Sequence, residues 1–348
     1  MNFLSLFVLI PLLMLPALWL SKEQKAIRTV MVVGSSLLLA LAALTTILFL
    51  KERAAGADAQ MLFTASVDWF TSLHIKYSVG VDGISVAMLL LSAVIVFTGA
   101  FVSWDMNKEY FLWFTLLSIG VFGFFITVDM FAMFMFYEIA LIPMYLLIGV
   151  WGTGAKEYSA MKLTLMLMGG SGLLIFGFLG IYYFSGGSTM DVIELAKMHA
   201  MSKEVQNIFF PFVFIGFGIL GALFPFHTWS PDGHASAPTA VSMLHAGVLM
   251  KLGGYGCLRI AMYIMPDALE MWAPVFLILT TISVVYGALS ACVQTDLKYI
   301  NAYSSVSHCG MVLFALLMTT QTAITGAILQ MLSHGLMTAL FFACIGMI

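Results

Sequence analysis

Four ionisable side chains lie near the middle of four separate apolar segments. Glu138 stands in FAMFMFYEIALIPMYLLIGVW, Lys251 in AVSMLHAGVLMKLGGYG, His308 in NAYSSVSHCGMVLFALLM and His334 in ITGAILQMLSHGLMTALFF. A charge at mid-membrane depth costs about 2.5–3.5 kcal/mol on insertion scales, and membrane proton relays are built from such groups with water between them. At similar depth in four helices, these side chains would form a lateral polar row across a helical bundle. We interpret them as candidate members of a buried proton path.

Each of these residues also has a purely structural explanation. A hydrogen bond to a neighbouring helix explains an uncharged imidazole such as His308 or His334 equally well. Glu138 and Lys251 favour function, because burying a charge is costlier than burying a neutral ring. Lys162, near the start of its apolar segment, is a possible further member, although snorkelling to the headgroups explains it as well.

The composition shows what surrounds these residues. The chain of 348 residues is 62% hydrophobic and only 9% charged, whereas a soluble domain is typically about 25% charged. The formal net charge of -3 is too small to suggest nucleic-acid binding. The sequence therefore predicts an all-α polytopic membrane protein that is embedded in the lipid bilayer.

A membrane span needs roughly 20 mostly apolar residues, and about eleven segments qualify. Their approximate centres are Leu12, Leu39, Val94, Gly120, Ala140, Leu174, Ile215, Met250, Ile282, Gly310 and Thr338. The first segment has no basic residue ahead of it, which favours a retained helix over a cleaved signal. The polar excursions are residues 50–77 and the amphipathic stretch after Thr189, both predicted to be interfacial. Asp82 and Asp129 lie near segment ends and are predicted to be solvated.

The stretch LFPFHTWSPDGHASAPTAVSML, residues 223–244, interrupts the apolar pattern between two predicted spans. Proline removes a backbone donor and breaks a helix, and a broken helix at membrane depth is tolerated where it faces protein or a water-filled cavity. Transporters use such breaks at their ion paths, although an ordinary interfacial loop has the same spacing. The residues of interest in this stretch are Pro225, His227, Pro231, Asp232, His234 and Pro238.

The four cysteines do not have the spacing of a cofactor site. Cys257, Cys292, Cys309 and Cys344 lie in or beside apolar runs, without a CxxC or CxxCH motif. Such motifs hold zinc, iron–sulfur clusters or haem. We therefore predict no cofactor and no metal in this chain.

Three long motifs carry a family resemblance. FYEIALIPMYLLIGVWG (136–152), FPFHTWSPDGHASAPTAVSMLHAGVLMKLGGYGCLR (224–259) and QTDLKYINAYSSVSHCGM (294–311) resemble the antiporter-like subunits of respiratory complex I, with VGVDGIS (79–85) as weaker support. The match is closest to the group of subunit M of bacterial NADH:quinone oxidoreductase, the equivalent of mitochondrial subunit 4.

The resemblance implies a proton-translocating, non-redox subunit of the membrane arm in a bacterial inner membrane. It implies a fourteen-helix fold with two inverted five-helix bundles and two broken helices, one of them near residues 224–237. The chain would then divide into N-terminal helices (1–106), a first bundle (107–262) and an incomplete second bundle (263–348). Neighbouring antiporter-like subunits would be partners, while FMN, iron–sulfur clusters and quinone would belong to other subunits. The residues matching Glu138, Lys251, His308 and His334 belong to, or lie near, the family's proton path.

One position departs from the family pattern. The family usually has a lysine seven positions before the residue matching His227, and this lysine pairs with the glutamate matching Glu138; here the position is Leu220. One hypothesis is that His245, six residues before Lys251, takes the place of the missing lysine. Six residues give about 9 Å of rise and a rotation of roughly 120°, so His245 and Lys251 could face different neighbours.

Two alternative functions stay open. The same ancestry includes subunits of multisubunit cation/proton antiporters and membrane-bound hydrogenases, and Leu220 makes a structural subunit without pumping a further possibility. The apolar ending at Ile348 also suggests that the chain stops short of its natural terminus, before the family's second broken helix. Ion choice, membrane orientation, quinone type and coupling mechanism are not readable from the sequence.

Overall fold

The computed structural model describes residues 2–348, and helices crossing in alternating directions dominate it. In this part of the chain, ten helices are long and apolar enough to span a membrane. They are α1 (Leu6–Leu20, preceded by a short turn from Phe3), α2 (Gln24–Ala54), α3 (Gly83–Val102), α4 (Lys108–Ile126), α5 (Met130–Trp151), α6 (Lys156–Phe184), α8 (Lys203–Leu220), α12 (Pro266–Cys292), α13 (Leu297–Leu317) and α14 (Gln321–Ile345). The shorter helices are α7 (Val192–Met198), α9 (Trp229–Ser236), α10 (Thr239–Leu244) and α11 (Met250–Gly256).

The eleventh crossing is assembled from short pieces. Helix α10 continues through a π-helical turn, His245–Leu249, into α11, and a second π-helical turn, Cys257–Met262, follows. A π turn widens the helix by one residue and is frequent at functional sites. The piece that carries Lys251 therefore lies between two irregular turns. Ten of the predicted spans are long helices, and the predicted span around Met250 corresponds to this interrupted segment.

The predicted break between two spans is also confirmed. Helix α8 ends at Leu220, residues 221–228 form turns, and α9 follows before Ala237 and Pro238 interrupt the chain again. The backbone groups freed by the break find partners: Phe224 N donates to Ser283 Oγ at 2.8 Å, and Trp229 Nε1 donates to the Ile219 carbonyl at 3.1 Å. Such partners are what a non-helical backbone requires at membrane depth.

Glycine allows this break to pack directly on the eleventh crossing. A Cβ atom on Gly253 would collide with the backbone nitrogen of Gly221 and the carbonyl oxygen of Phe217. Small residues at helix contacts let backbones approach closely in membranes. The turn after α8 therefore lies against α11, beside Lys251.

A β-hairpin occupies the first polar excursion, which the sequence predicted only as interfacial. Strands β1 (Leu62–Phe70) and β2 (Ile75–Val81) pair antiparallel, with Leu62 opposite Val81 and Phe70 opposite Ile75. Val128 N donates to Ser78 O, and Met130 N donates to Met190 O. The hairpin, the α4–α5 turn and α7 therefore share one surface, the hairpin side. The opposite surface is the broken-helix side, where Thr153 N donates to Ser236 O at 2.8 Å.

The prediction that Asp82 and Asp129 are solvated is wrong. Asp129 is 1% exposed and accepts N–H bonds from Ala132 and Lys76. Burial raises the pKa of Asp129 to about 6. Asp82 caps α3 by accepting the N–H groups of Ile84 and Ser85, and it forms an ion pair with Arg259. Both carboxylates are helix N-caps, and each also has a long-range partner that the local sequence does not show.

Candidate functional site

The structure brings three of the four mid-membrane residues together. Lys251 Nζ lies 2.8 Å from His334 Nδ1, and the rings of His334 and His308 are 4.8 Å apart between centroids. Gln330 Nε2 lies 2.8 Å from His308 Nδ1. Lys251 and His334 are each 2% exposed. These groups form a chain across α11, α14 and α13, which we call the Lys251 centre (Lys251, His334, His308 and Gln330).

The hydrogen bonds of the Lys251 centre suit proton transfer. A protonated Lys251 donates to His334 Nδ1, which places the proton of a neutral imidazole on Nε2. That Nε2 atom is buried without a hydrogen-bond partner among residues 2–348. An imidazole can accept a proton at one nitrogen and release one from the other. His334 can therefore receive a proton at Nδ1 and release one from Nε2.

A small cavity adjoins Lys251. Its volume is about 10 Å³, and its wall includes Gly221, Gly254 and Cys309. This is close to the smallest volume that holds one water molecule. The cavity extends from the lysine toward the turn that follows α8.

Glu138 lies apart from this centre. It is half-buried on α5 and accepts a hydrogen bond from the Ser171 hydroxyl on α6. Leu220, where the resemblance predicts a lysine, is 1% exposed at the end of α8. In the described chain the ion pairs are Arg28–Asp105, Lys162–Asp232 and Arg259–Asp82, so Glu138 has a hydroxyl partner in place of a cation.

His245 packs on the broken helix. Its ring lies 4.1 Å from that of His234 and 5.3 Å from that of Trp229. Within residues 2–348, neither ring nitrogen of His245 has a hydrogen-bond partner, and neither does His234 Nδ1. His234 Nε2 lies 3.3 Å from the sulfur of Met250. The geometry pairs His245 with His234, and its substitution for the missing lysine beside Glu138 stays a prediction.

The other residues of the broken helix form a polar cluster toward its own surface. Lys162 forms an ion pair, since its Nζ lies 2.7 Å from Asp232 Oδ2, and the Tyr299 hydroxyl donates to Asp232 Oδ1 at 3.1 Å. His227 packs against Tyr286 with ring centroids 5.0 Å apart. Pro225, Pro231 and Pro238 shape the backbone around this cluster. Asp232 therefore joins α6, α9 and α13.

A second buried polar group was missed by the sequence analysis. Asn301, Ser305 and Thr338 are 0–1% exposed and are hydrogen-bonded to one another between α13 and α14. A signal was present, because Asn301 and Ser305 are four residues apart, as are His334 and Thr338, and such pairs share one helix face. The polar face of α13 and the polar face of α14 therefore meet at the interface between these two helices.

Metal-ligand geometry is lacking in the part of the chain that the structure describes. No group of three or more His, Cys, Asp and Glu residues lies within reach of a common ion there. Cys257 and Cys309 are buried free thiols, and Cys292 and Cys344 are exposed free thiols.

Curated relatives resemble the chain over most of its length. It is 38% identical over 283 residues to NAD(P)H-quinone oxidoreductase chain 4-2 of Synechocystis, an alignment that covers 80% of this chain and 50% of the relative. It is 35% identical over 307 residues to NADH-quinone oxidoreductase subunit M of Rhodobacter capsulatus, covering 84% and 59%. The chain thus spans about half the length of the curated relatives it matches.

Solved structures share the fold. A chain of respiratory complex I from Thermus thermophilus with bound NADH superposes with a TM-score of 0.88 at 24% identity, covering 99% of this chain and 71% of that one. A chain of the Mrp complex from Dietzia gives a TM-score of 0.87 at 22% identity, covering 99% and 64%. The antiporter-like fold expected from the resemblance is confirmed. A family model described as "NADH:quinone oxidoreductase/Mrp antiporter, TM" matches residues 127–348, and the chain belongs to this family of multi-pass membrane proteins.

Proposed function

We propose that this chain is a proton-translocating membrane-arm subunit of an NADH:quinone oxidoreductase. Family membership and the similarity to subunit M support the proposal. The observation that carries it is the Lys251 centre, because three titratable side chains from three helices meet there, Lys251 and His334 buried and His308 half-buried. Ionisable groups in such positions are costly and mark ion paths.

In this proposal the chain moves protons and takes no part in electron transfer. FMN, iron–sulfur clusters and quinone would be held by partner subunits, and neighbouring antiporter-like subunits would adjoin this chain in the membrane arm. Quinone reduction elsewhere would drive proton movement here by changing the electrostatic field or the helix packing at the Lys251 centre. The protein would reside in the bacterial inner membrane.

Within the centre, Lys251 holds the proton and His334 passes it on. Transfer from the Lys251 ammonium to His334 Nδ1 leaves a neutral amine and an imidazolium. Release of the Nε2 proton to a water molecule then gives a hydronium ion and a neutral imidazole with its proton on Nδ1. His308, beside His334, would extend the path toward Gln330. Glu138 would take or release a proton next to the Ser171 hydroxyl, separately from the lysine.

Leu220 favours a second candidate, a structural subunit that has lost pumping. A lysine near Glu138 would stabilise the carboxylate, whereas a serine hydroxyl offers only a neutral donor. Without a neighbouring cation, protonation of Glu138 could not be coupled to the charge of a paired lysine. The two candidates differ in whether the buried charges are needed for proton uptake.

The test is NADH-driven proton uptake in inverted membrane vesicles that carry Lys251→Met or Glu138→Gln in the full-length protein. Lys156→Met is the matched control, since Lys156 is near the surface and its Nζ donates to the Val150 carbonyl. Loss of uptake in Lys251→Met, with the complex intact on native gels and the control normal, supports the proposal. Normal uptake in both buried variants would support the structural candidate. Uptake that depends on Na⁺ in place of NADH would point to the antiporter branch of the family.

A further inference from the structure

The interface between α13 and α14 contains a chain of polar side chains that leads away from the Lys251 centre. Thr338 lies one helical turn from His334, and Ser305 lies about one turn from His308, both toward the broken-helix side. Asn301 lies one further turn along α13, and Lys298 follows near the surface. Lys298 Nζ donates to the Ala237 carbonyl at 3.2 Å, in the gap between α9 and α10.

The hydroxyl groups of Ser305 and Thr338 can form hydrogen bonds in two alternative arrangements. The Oγ atoms of Ser305 and Thr338 are 3.1 Å apart, and either can donate to the other. When Ser305 donates to Thr338, Thr338 donates to Asn301 Oδ1 at 3.3 Å. When Thr338 donates to Ser305, Ser305 donates to the Asn301 carbonyl at 2.9 Å. Both hydroxyl protons have an acceptor in either arrangement.

Reversible donor direction is what a proton-conducting link requires. A hydroxyl accepts a proton on its oxygen as it releases its own, so the charge passes while the group is unchanged, and rotation of the hydroxyl then restores the first arrangement. Asn301 fixes the geometry, since its Nδ2 donates to the Thr338 carbonyl at 3.3 Å while its Oδ1 is available to the hydroxyl. The amide itself holds its protons, so Asn301 acts as a positioning residue.

The link requires one water molecule at each end. Four residues of helix rise about 6 Å, and one water between two polar groups spans a similar distance at normal hydrogen-bond lengths. The end toward the centre is Thr338, one helical turn from His334, whose Nε2 has no protein partner among the described residues. At the other end, a water molecule beside Asn301 would accept the proton from the hydroxyl pair and pass it toward half-buried Lys298, while Asn301 keeps its own protons.

We propose that the Ser305–Thr338 hydroxyl pair, held by Asn301, conducts protons between His334 and the broken-helix side of the membrane. This inference rests on the proposed function and adds residues and a direction to it. Interhelical hydroxyl bonds also serve simply to hold membrane helices together. The two roles predict different results when one hydroxyl is removed without a change in shape.

Ser307 provides the matched control for helix packing. It lies on α13 and is 8% exposed, and its hydroxyl donates to the Val284 carbonyl of α12 at 2.8 Å, away from the link. Ser307→Ala therefore removes an interhelical hydrogen bond of ordinary strength from the same helix. If the loss of an interhelical hydrogen bond alone slows proton uptake, Ser307→Ala will slow it too.

The experiment compares Thr338→Val, Thr338→Ser, Ser307→Ala and Lys251→Met in the assembled complex, by NADH-driven proton uptake in inverted vesicles. We expect Thr338→Val to slow uptake by roughly two- to thirtyfold, the range for a residue in a coupling network. We expect Thr338→Ser to restore uptake because it retains the hydroxyl, and Ser307→Ala to leave it unchanged. Should Thr338→Val fail to assemble, Ser305→Ala is judged by the same criteria.

The outcomes separate this inference from the proposed function. Loss of uptake in Lys251→Met together with a normal rate in Thr338→Val would overturn the link and leave the function standing. Equal slowing in Thr338→Val and Ser307→Ala would assign the hydroxyl to packing and overturn it as well. Normal uptake in all four variants would overturn both proposals.

Discussion

The ion pair between Arg259 and Asp82 allows a stability prediction that can be worked from the structure. It fastens the hairpin-side end of the eleventh crossing to the start of α3, and the two side chains are only 9% and 15% exposed. The Arg259 guanidinium also lies 5.1 Å from the Tyr255 ring centroid, and the Tyr255 hydroxyl lies 2.8 Å from Ser85 Oγ. Removal of Arg259 therefore leaves a carboxylate without its cation in a poorly hydrated site.

Breaking a buried ion pair by removing one partner costs about 3–5 kcal/mol, because the other charge is left uncompensated. For Arg259→Met we expect the lower end, about 3 kcal/mol, since Asp82 keeps the N–H groups of Ile84 and Ser85. Asp82→Asn leaves the Arg259 guanidinium without its carboxylate and is expected to lower the free energy of unfolding by a similar amount. The double variant carries no orphan charge, so it is expected to be more stable than either single variant.

The measurement is denaturant unfolding of the purified complex in detergent, with the four proteins arranged as a double-mutant cycle. Arg28→Met is the control, since Arg28 pairs with Asp105, whose side chain is 95% exposed, and such surface pairs contribute about 0–1 kcal/mol. If Arg259→Met unfolds at the same denaturant concentration as the parent protein, the buried pair does not stabilise the fold and the reasoning is refuted. The same conclusion follows if the losses of stability in the two single variants simply add in the double variant.

Two further predictions concern packing and pH. Gly253→Ala places a Cβ against the backbone of Gly221, so we expect loss of assembly on native gels, whereas Gly172→Ala, which meets no atom within 4 Å, should assemble normally; equal assembly of both would contradict this. Because burial raises the pKa of Asp129 to about 6 from 3.8, its contribution to stability is full below about pH 4 and is lost as the pH rises to about 6. The pH dependence of unfolding between these values should be flatter in Asp129→Asn than in the parent, and identical slopes would speak against a buried Asp129.

The membrane fold was predictable because its signals are local. Hydropathy identifies each span over about 20 residues, and the prolines of residues 223–244 identify the break. Even the interrupted crossing around Met250 was found, since its π turns change the helix geometry but not the apolar composition. The β-hairpin was missed because neither strand alternates cleanly: β1 exposes most of its side chains, whereas β2 buries most of its own.

The arrangement of the site was only partly predictable, for a geometric reason. Position within a span fixes a residue's depth along the membrane normal, and all four candidate residues were placed at similar depth. Their neighbours within the membrane plane depend on how the helices pack, which no local pattern records. Lys251 and His334 therefore meet across 83 residues of sequence, whereas Glu138 finds Ser171 on α6. The pairing of Lys162 with Asp232, 70 residues apart, was missed for the same reason.

The contacts of Lys251 and Glu138 indicate that these two residues act separately in this chain. Helix α8 ends at apolar Leu220, and the turn that follows it adjoins the cavity beside Lys251. Lys251 is instead hydrogen-bonded to His334 on α14, one helical turn from Thr338, whose hydroxyl is bonded to Ser305 on α13. A proton held on Lys251 is therefore better connected to α14 than to Glu138. If the chain pumps, variants of His334 should impair proton uptake more than Glu138→Gln does, and the reverse order would show that the row works laterally despite Leu220.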